Sequence, residues 1–161
     1  MRMQSKKIVV IMSYICAMAV CVMLLSLSNS RKTTIEQFTP PPFETAALPG
    51  VPEVPQNLGW SEIDADVFHV GICGKVSVAD YEASVWLTNP EGNSVWLKLR
   101  VLDEYGNILG ETGLLTPGHY VQTVSLCTVP ATDFSIVLKV MAYEPETYRS
   151  VGSISLNTSI C

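Results

Sequence analysis

The sequence predicts an all-β domain, an antiparallel sandwich of seven to eight strands, set behind one membrane-spanning helix and a proline-rich stalk. Three observations predict it. Residues 8–27 carry no charge, six prolines fall between residues 40 and 55, and beyond residue 60 apolar side chains recur at every second position. The chain has 161 residues, of which 48% are hydrophobic and only 16% charged, with a net charge of −5. That charged fraction is well under the roughly 25% usual in soluble proteins, as expected if part of the chain lies in lipid.

The N-terminal segment comes first. Arg2, Lys6 and Lys7 mark a short basic start, residues 1–7. A helix over residues 8–28 is long enough to cross a hydrocarbon core of about 30 Å. A backbone entering lipid must satisfy its own N–H and C=O groups, which requires that helix. The apolar run exceeds the 7–15 residues usual of a cleaved h-region, which favours a retained signal-anchor. The alternative is secretion after cleavage near Ser26-Leu27-Ser28 or Ser28-Asn29-Ser30. Basic residues at the start outweigh Arg31 and Lys32 after the helix, placing the N-terminus in the cytoplasm and the remainder outside. The lipid bilayer is thus the expected partner of residues 8–28, in a single-pass protein of the cell membrane.

Residues 29–59 read as a linker. Pro40, Pro41, Pro42, Pro49, Pro52 and Pro55 fix φ and remove donors, so helix and central strand are excluded, and a semi-rigid stalk is expected. From residue 60 to 161 five basic and twelve acidic side chains leave a net charge of −7. Such a domain is repelled by anionic lipid heads and by phosphate backbones, so no nucleic-acid partner is expected.

Within 60–161 the alternation is regular. Val95, Leu97, Leu99 and Val101 share one face, with Trp96, Lys98 and Arg100 on the other. Phe134, Ile136, Leu138, Val140 and Ala142 repeat the pattern, as do Phe68/Val70/Ile72, Ala83/Val85/Leu87, Val124/Leu126 and Ile154/Leu156. Turn sequences separate the runs at short intervals, including Asn89-Pro90-Glu91-Gly92-Asn93 and Asp103-Glu104-Tyr105-Gly106-Asn107. Many short strands at this spacing indicate two packed antiparallel sheets. A tight loop at Pro90-Glu91-Gly92 predicts a hairpin in which Leu87 meets Val95 and Val85 meets Leu97. On its opposite face Trp86 would meet Trp96, Ser84 would meet Lys98 and Glu82 would meet Arg100.

Val101-x-Asp103-x-x-Gly106-Asn107-x-x-Gly110, Leu115-x-Pro117-Gly118-x-Tyr120 and Val140-x-Ala142-Tyr143 together resemble immunoglobulin-like or fibronectin-type β-sandwich modules. The resemblance spans residues 83–160. It implies a module of the kind found in small, uncharacterised, membrane-anchored extracytoplasmic bacterial proteins, and it implies no activity, since this architecture hosts many roles. The order Cys73, Trp86, Cys127 imitates the antibody pattern, but Ser125 stands where a tyrosine is required.

Few residues carry chemistry. Cys73 and Cys127 are the candidate disulfide in an oxidising compartment, closing a loop of about 54 residues worth about 3–4 kcal/mol, although strand parity puts Cys73 off the core face. Cys161 is the odd cysteine, either free or paired between molecules. His69 and Cys73, four apart on one strand, lie about 13 Å from each other, too far to share a metal ion. His119 has no Gly-x-Ser-x-Gly beside it, and the acidic residues fall in turns. No cofactor, metal or catalytic residue is therefore expected. Trp86 and Trp96, framed by Arg100, are the candidate binding residues, an aromatic platform for a protein or glycan partner. The alternative is that lysine and arginine stems or the Trp60 segment cover the rings. The expected function is a non-enzymatic binding or structural role at the cell surface. Alternatives are a pilus-like or envelope-assembly subunit pairing through a sheet edge, and a small secreted hydrolase.

Overall fold

A computed structural model describes Met18 and residues 38–129 and 134–161. The basic start, the expected membrane helix over 8–28 (Met18 apart) and the linker residues 29–37 lie outside the described residues. Among the described residues no helix is long and apolar enough to cross a membrane.

Pro40–Cys161 forms one compact unit. Its strands are β1 (Leu48–Pro49), β2 (Trp60–Asp64), β3 (His69–Cys73), β4 (Ser77–Ala79), β5 (Glu82–Asn89), β6 (Trp96–Leu102), β7 (Ile108–Glu111), β8 (His119–Ser125), β9 (Ser135–Tyr143) and β10 (Ser150–Ser159). They make two antiparallel sheets. The first runs β1-β8-β5-β3-β2, with β4 also on β5, and the second runs β10-β9-β6-β7. Alternation works as expected. Val70, Ile72, Val85 and Leu87 of the first sheet and Leu97, Leu99, Leu138 and Val140 of the second belong to one fully buried cluster.

The expected β5–β6 hairpin does not form. The two strands belong to different sheets, because both edges of β5 are already paired, with β8 on one side and with β3 and β4 on the other. The Asn89–Asn93 connection is instead an arch between sheets. Asn89, fully buried, donates from Nδ2 to Val95 O (2.9 Å) and Leu115 O (2.8 Å). Asn93 Nδ2 donates to Asn89 Oδ1 and to His69 O, each at 2.6 Å, and Asn93 Oδ1 accepts from His69 N–H. β6 pairs with β9, so Trp96 faces Tyr143 and Arg100 faces Lys139. Trp86/Trp96, Ser84/Lys98 and Glu82/Arg100 are not partners.

The proline-rich stretch is not a free stalk from residue 40 onward. Proline lacks a donor but keeps its carbonyl, and so suits a sheet margin. Leu114 N–H donates to Pro42 O (2.8 Å), and Glu44 N–H donates to Leu114 O (2.9 Å). Gly113 permits this close approach: a Cβ there would lie 2.5 Å from Glu44 N. β1 then pairs Leu48 with Tyr120 and Pro49 with His119, and Leu58 is buried. Residues 40–59 therefore belong to the domain, not to the linker.

One hairpin has no glycine or asparagine in its turn to announce it. β4 and β5 join through Asp80 and Tyr81, both with positive φ (50° and 66°), the geometry of a type I′ turn. A left-handed L-residue costs about 1–2 kcal/mol, part of which glycine gives back through unfolded-state entropy. Tyr81→Gly, on an exposed ring, is expected to raise unfolding stability by about 0.5–1 kcal/mol in a urea melt. No gain, or a loss, would show that the Tyr81 ring contributes more than its backbone costs.

Candidate functional site

The outer face of the first sheet gathers the aromatic side chains. Ladder pairing sets Glu62, Gly71, Thr88, Tyr120 and Leu48 in one row across β2, β3, β5, β8 and β1. Trp60, opposite Cys73, lies two rows along on the same face. Gly71 has no side chain because the Trp60 indole occupies that space; a Cβ there would collide with it.

Trp86 lies on this face by alternation, away from buried Val85 and Leu87, and its backbone is irregular. β5 holds one residue more than β8 between Ser84 and Leu87, and within that bulge Trp86 takes φ 49°. Bulky left-handed residues persist only where surroundings hold them. Here the Trp60 indole Nε1–H donates to Trp86 O (3.1 Å), and Thr88 Oγ1 donates to the same carbonyl (3.3 Å). The Trp86 ring lies nearly parallel to Tyr120, 14° between planes and 6.3 Å between centroids. All three aromatic residues are half-buried.

A cavity of about 390 Å³ adjoins this face through Thr88, lined also by Gly50, Val51, Glu62, Glu91 and His119. His119 Nδ1 lies 3.0 Å from both Pro117 O and Thr116 Oγ1. A carbonyl only accepts, so in the contact with Pro117 O the ring donates from Nδ1.

Trp96 and Arg100 belong to the second sheet and do not join Trp86. Trp96 packs edge-on to Phe43 (4.8 Å, 76°) and tilted on Tyr148 (5.2 Å), so its ring fastens the proline-rich stretch near Phe43 and the β9–β10 turn. Arg100 Nε pairs with Glu111 Oε2 (3.0 Å), beside Lys98 Nζ on Glu111 Oε1 (2.9 Å). Burial pushes the Glu111 carboxyl up, but the hydrogen bonds and charges of Lys98 and Arg100 outweigh it and hold it below the ordinary range. Glu82, expected opposite Arg100, accepts from Ser125 Oγ instead, and that bond, with one from Thr123, lowers its carboxyl too. The Trp60 segment, expected as a cover for the rings, does lie beside Trp86; Tyr120 has no signal in the alternation, and the β5–β8 register brings it there.

Cys73 and Cys127 are free thiols, as is Cys161. The candidate disulfide does not form: Cys73 is fully buried on the Trp60 side of β3, while Cys127 is exposed beside Ile108 O. Burial pushes the Cys73 thiol up to about 11, so it is protonated at neutral pH and a poor nucleophile. Among the described residues no group of three His, Cys, Asp or Glu is placed to hold a metal ion. His69 is engaged with Asp64, and Asp103 caps its own turn, accepting from Tyr105 and Asn107.

No protein-family model matches the chain, and no curated protein matches it.

Proposed function

We propose that the chain is a membrane-anchored, extracytoplasmic, immunoglobulin-like module with a non-enzymatic binding role, and that it binds a protein or glycan through Trp86 and Tyr120. The strand order supports the fold assignment. β10-β9-β6-β7 corresponds to G-F-C-C′ of such modules, and β8-β5-β3 corresponds to E-B-A, with the Asn89–Asn93 arch where B crosses to C. The charge-free run over 8–27 and the acidic character beyond residue 60 support anchoring with the domain held outside.

The observation that carries the binding role is Trp86 itself. A large ring stands on a left-handed backbone in a bulge, at a cost of about 1–3 kcal/mol, when an ordinary strand position would bear it without strain. It meets a second ring there, and flat aromatic pairs with a polar margin are efficient contact surfaces.

Asparagine tolerates the left-handed region, so Trp86→Asn removes the ring without adding backbone strain. Full-length protein purified in mild detergent from cross-linked cells should lose its captured partner about tenfold or more on Trp86→Asn or Tyr120→Ser. Its melting curve should stay close to the parent's. Unchanged capture in both variants would remove the reading.

A further inference from the structure

β10 is the outer strand of the second sheet. It has ten residues, no charged side chain and no proline. Proteins normally blunt such edges with charge, proline or brevity. The other margins follow that rule: β1 has two residues and ends in Pro49, β2 carries Glu62 and Asp64, and β7 has four residues ending in Glu111.

Two hydrogen bonds just past β10 fix which of its backbone groups face outward. Ile160 N–H donates to Phe134 O (3.1 Å), continuing the β9 ladder. Cys161 N–H points the opposite way, to Val76 O (3.0 Å). Backbone groups alternate in direction along a strand, so Ser153, Ser155 and Asn157 turn both N–H and C=O away from β9. Among the described residues nothing pairs with those outward groups. Unpaired strand groups on a neutral edge are a template for another strand.

We propose that β10 pairs antiparallel with β10 of a second copy of this chain, about a two-fold axis through Ser155, joining two four-stranded sheets into one. Ser153 then faces Asn157 of the second copy, and Ser155 faces its own equivalent. All three positions present outward groups, so the register exchanges about six N–H···O bonds. No like charges meet along the seam, because the strand has none.

The ends of the edge agree with this occupant. A recess of about 370 Å³ beside Val151 and Gly152 is lined by Asp64 and Asp66. One of about 650 Å³ beside Asn157 and Thr158 is lined by Lys75, with Glu104. Antiparallel pairing brings the aspartate end of each copy alongside the other's Lys75, which answers the carboxylates, and Glu104, which opposes them. The interface uses the second sheet and leaves Trp86 and Tyr120, on the first, available to a ligand.

The test is sedimentation equilibrium of the full chain in detergent micelles over a dilution series, with reductant present so that Cys161 cannot cross-link. The parent chain is expected to form a reversible dimer. Ser155→Pro deletes an outward N–H without touching the β9 ladder and should give a monomer with an unchanged melting curve. Ser153→Lys with Asn157→Lys sets lysines opposite each other at two places and should raise the dissociation constant about tenfold. Ser153→Lys with Asn157→Glu restores opposite charges in the same register and should recover the dimer. A strictly monomeric parent would overturn the proposal, as would a Lys/Glu variant that dimerises no better than the Lys/Lys one. Should Ser155→Pro fail to fold, the two charge variants decide alone.

Discussion

Asn89→Leu is expected to destabilise the domain by about 3 kcal/mol, read as a lowered urea midpoint with the slope unchanged. The side chain is fully buried and makes three hydrogen bonds. Among the described residues Val95 O has no other donor, so leucine strands a carbonyl, at about 1–3 kcal/mol, and removes two further bonds. Leu115 O keeps the N–H of Leu97 (3.0 Å), which is why the cost is not larger still. Asn89→Asp should be worse at neutral pH, because it turns a carboxylate toward two carbonyl oxygens and keeps only the bond from Asn93. A leucine variant within 1 kcal/mol of the parent would mean that the arch is held by its backbone alone.

Glu111→Gln comes next, at about 2 kcal/mol, between the small worth of exposed pairs and the 3–5 kcal/mol of fully buried ones. Lys98 is the reason. Its side chain is only 7% exposed, against 40% for Glu111, so loss of the carboxylate strands a nearly buried ammonium. Lys98→Met removes that ammonium and leaves Glu111 with Arg100, so it should cost less than Glu111→Gln. The pH dependence has a definite sign. The folded carboxyl titrates below its unfolded value of about 4.3, so its stabilisation is complete above that pH and drains away as pH falls through the folded value. Glu82 and Asp103, also lowered, act in the same direction. Glu111→Gln should flatten, without abolishing, the acid limb of stability measured from neutral pH to about pH 3.

Alternation revealed which residues face inward, because side-chain direction has period two whatever the neighbouring strand is. It could not reveal who pairs with whom. Val85 and Leu87 face the core together with Leu97 and Leu99 in a hairpin and in an arch alike. What decides is that β8 and β3 claim both edges of β5, and those contacts lie tens of residues away in sequence. The same blindness hid the site. Tyr120 sits beside Trp86 because β5 pairs with β8 in a register that sets Thr88 opposite Tyr120. Prolines obscure the fold in a different way: the donors they lack point to a free stalk, whereas Pro42 takes part through the acceptor it keeps. The turn at Asp80-Tyr81 lacks the Asn-Gly that normally announces its geometry.

The docking of residues 40–59 gives the molecule a sacrificial seam. A pull entering from the N-terminal side meets Phe43 on Leu114 and then the two-residue β1, not the buried strands. Such short attachments unzip one after another under load, and freeing the segment pays out on the order of 60 Å of chain. Tension entering there would therefore be spent on slack before it reached the buried strands.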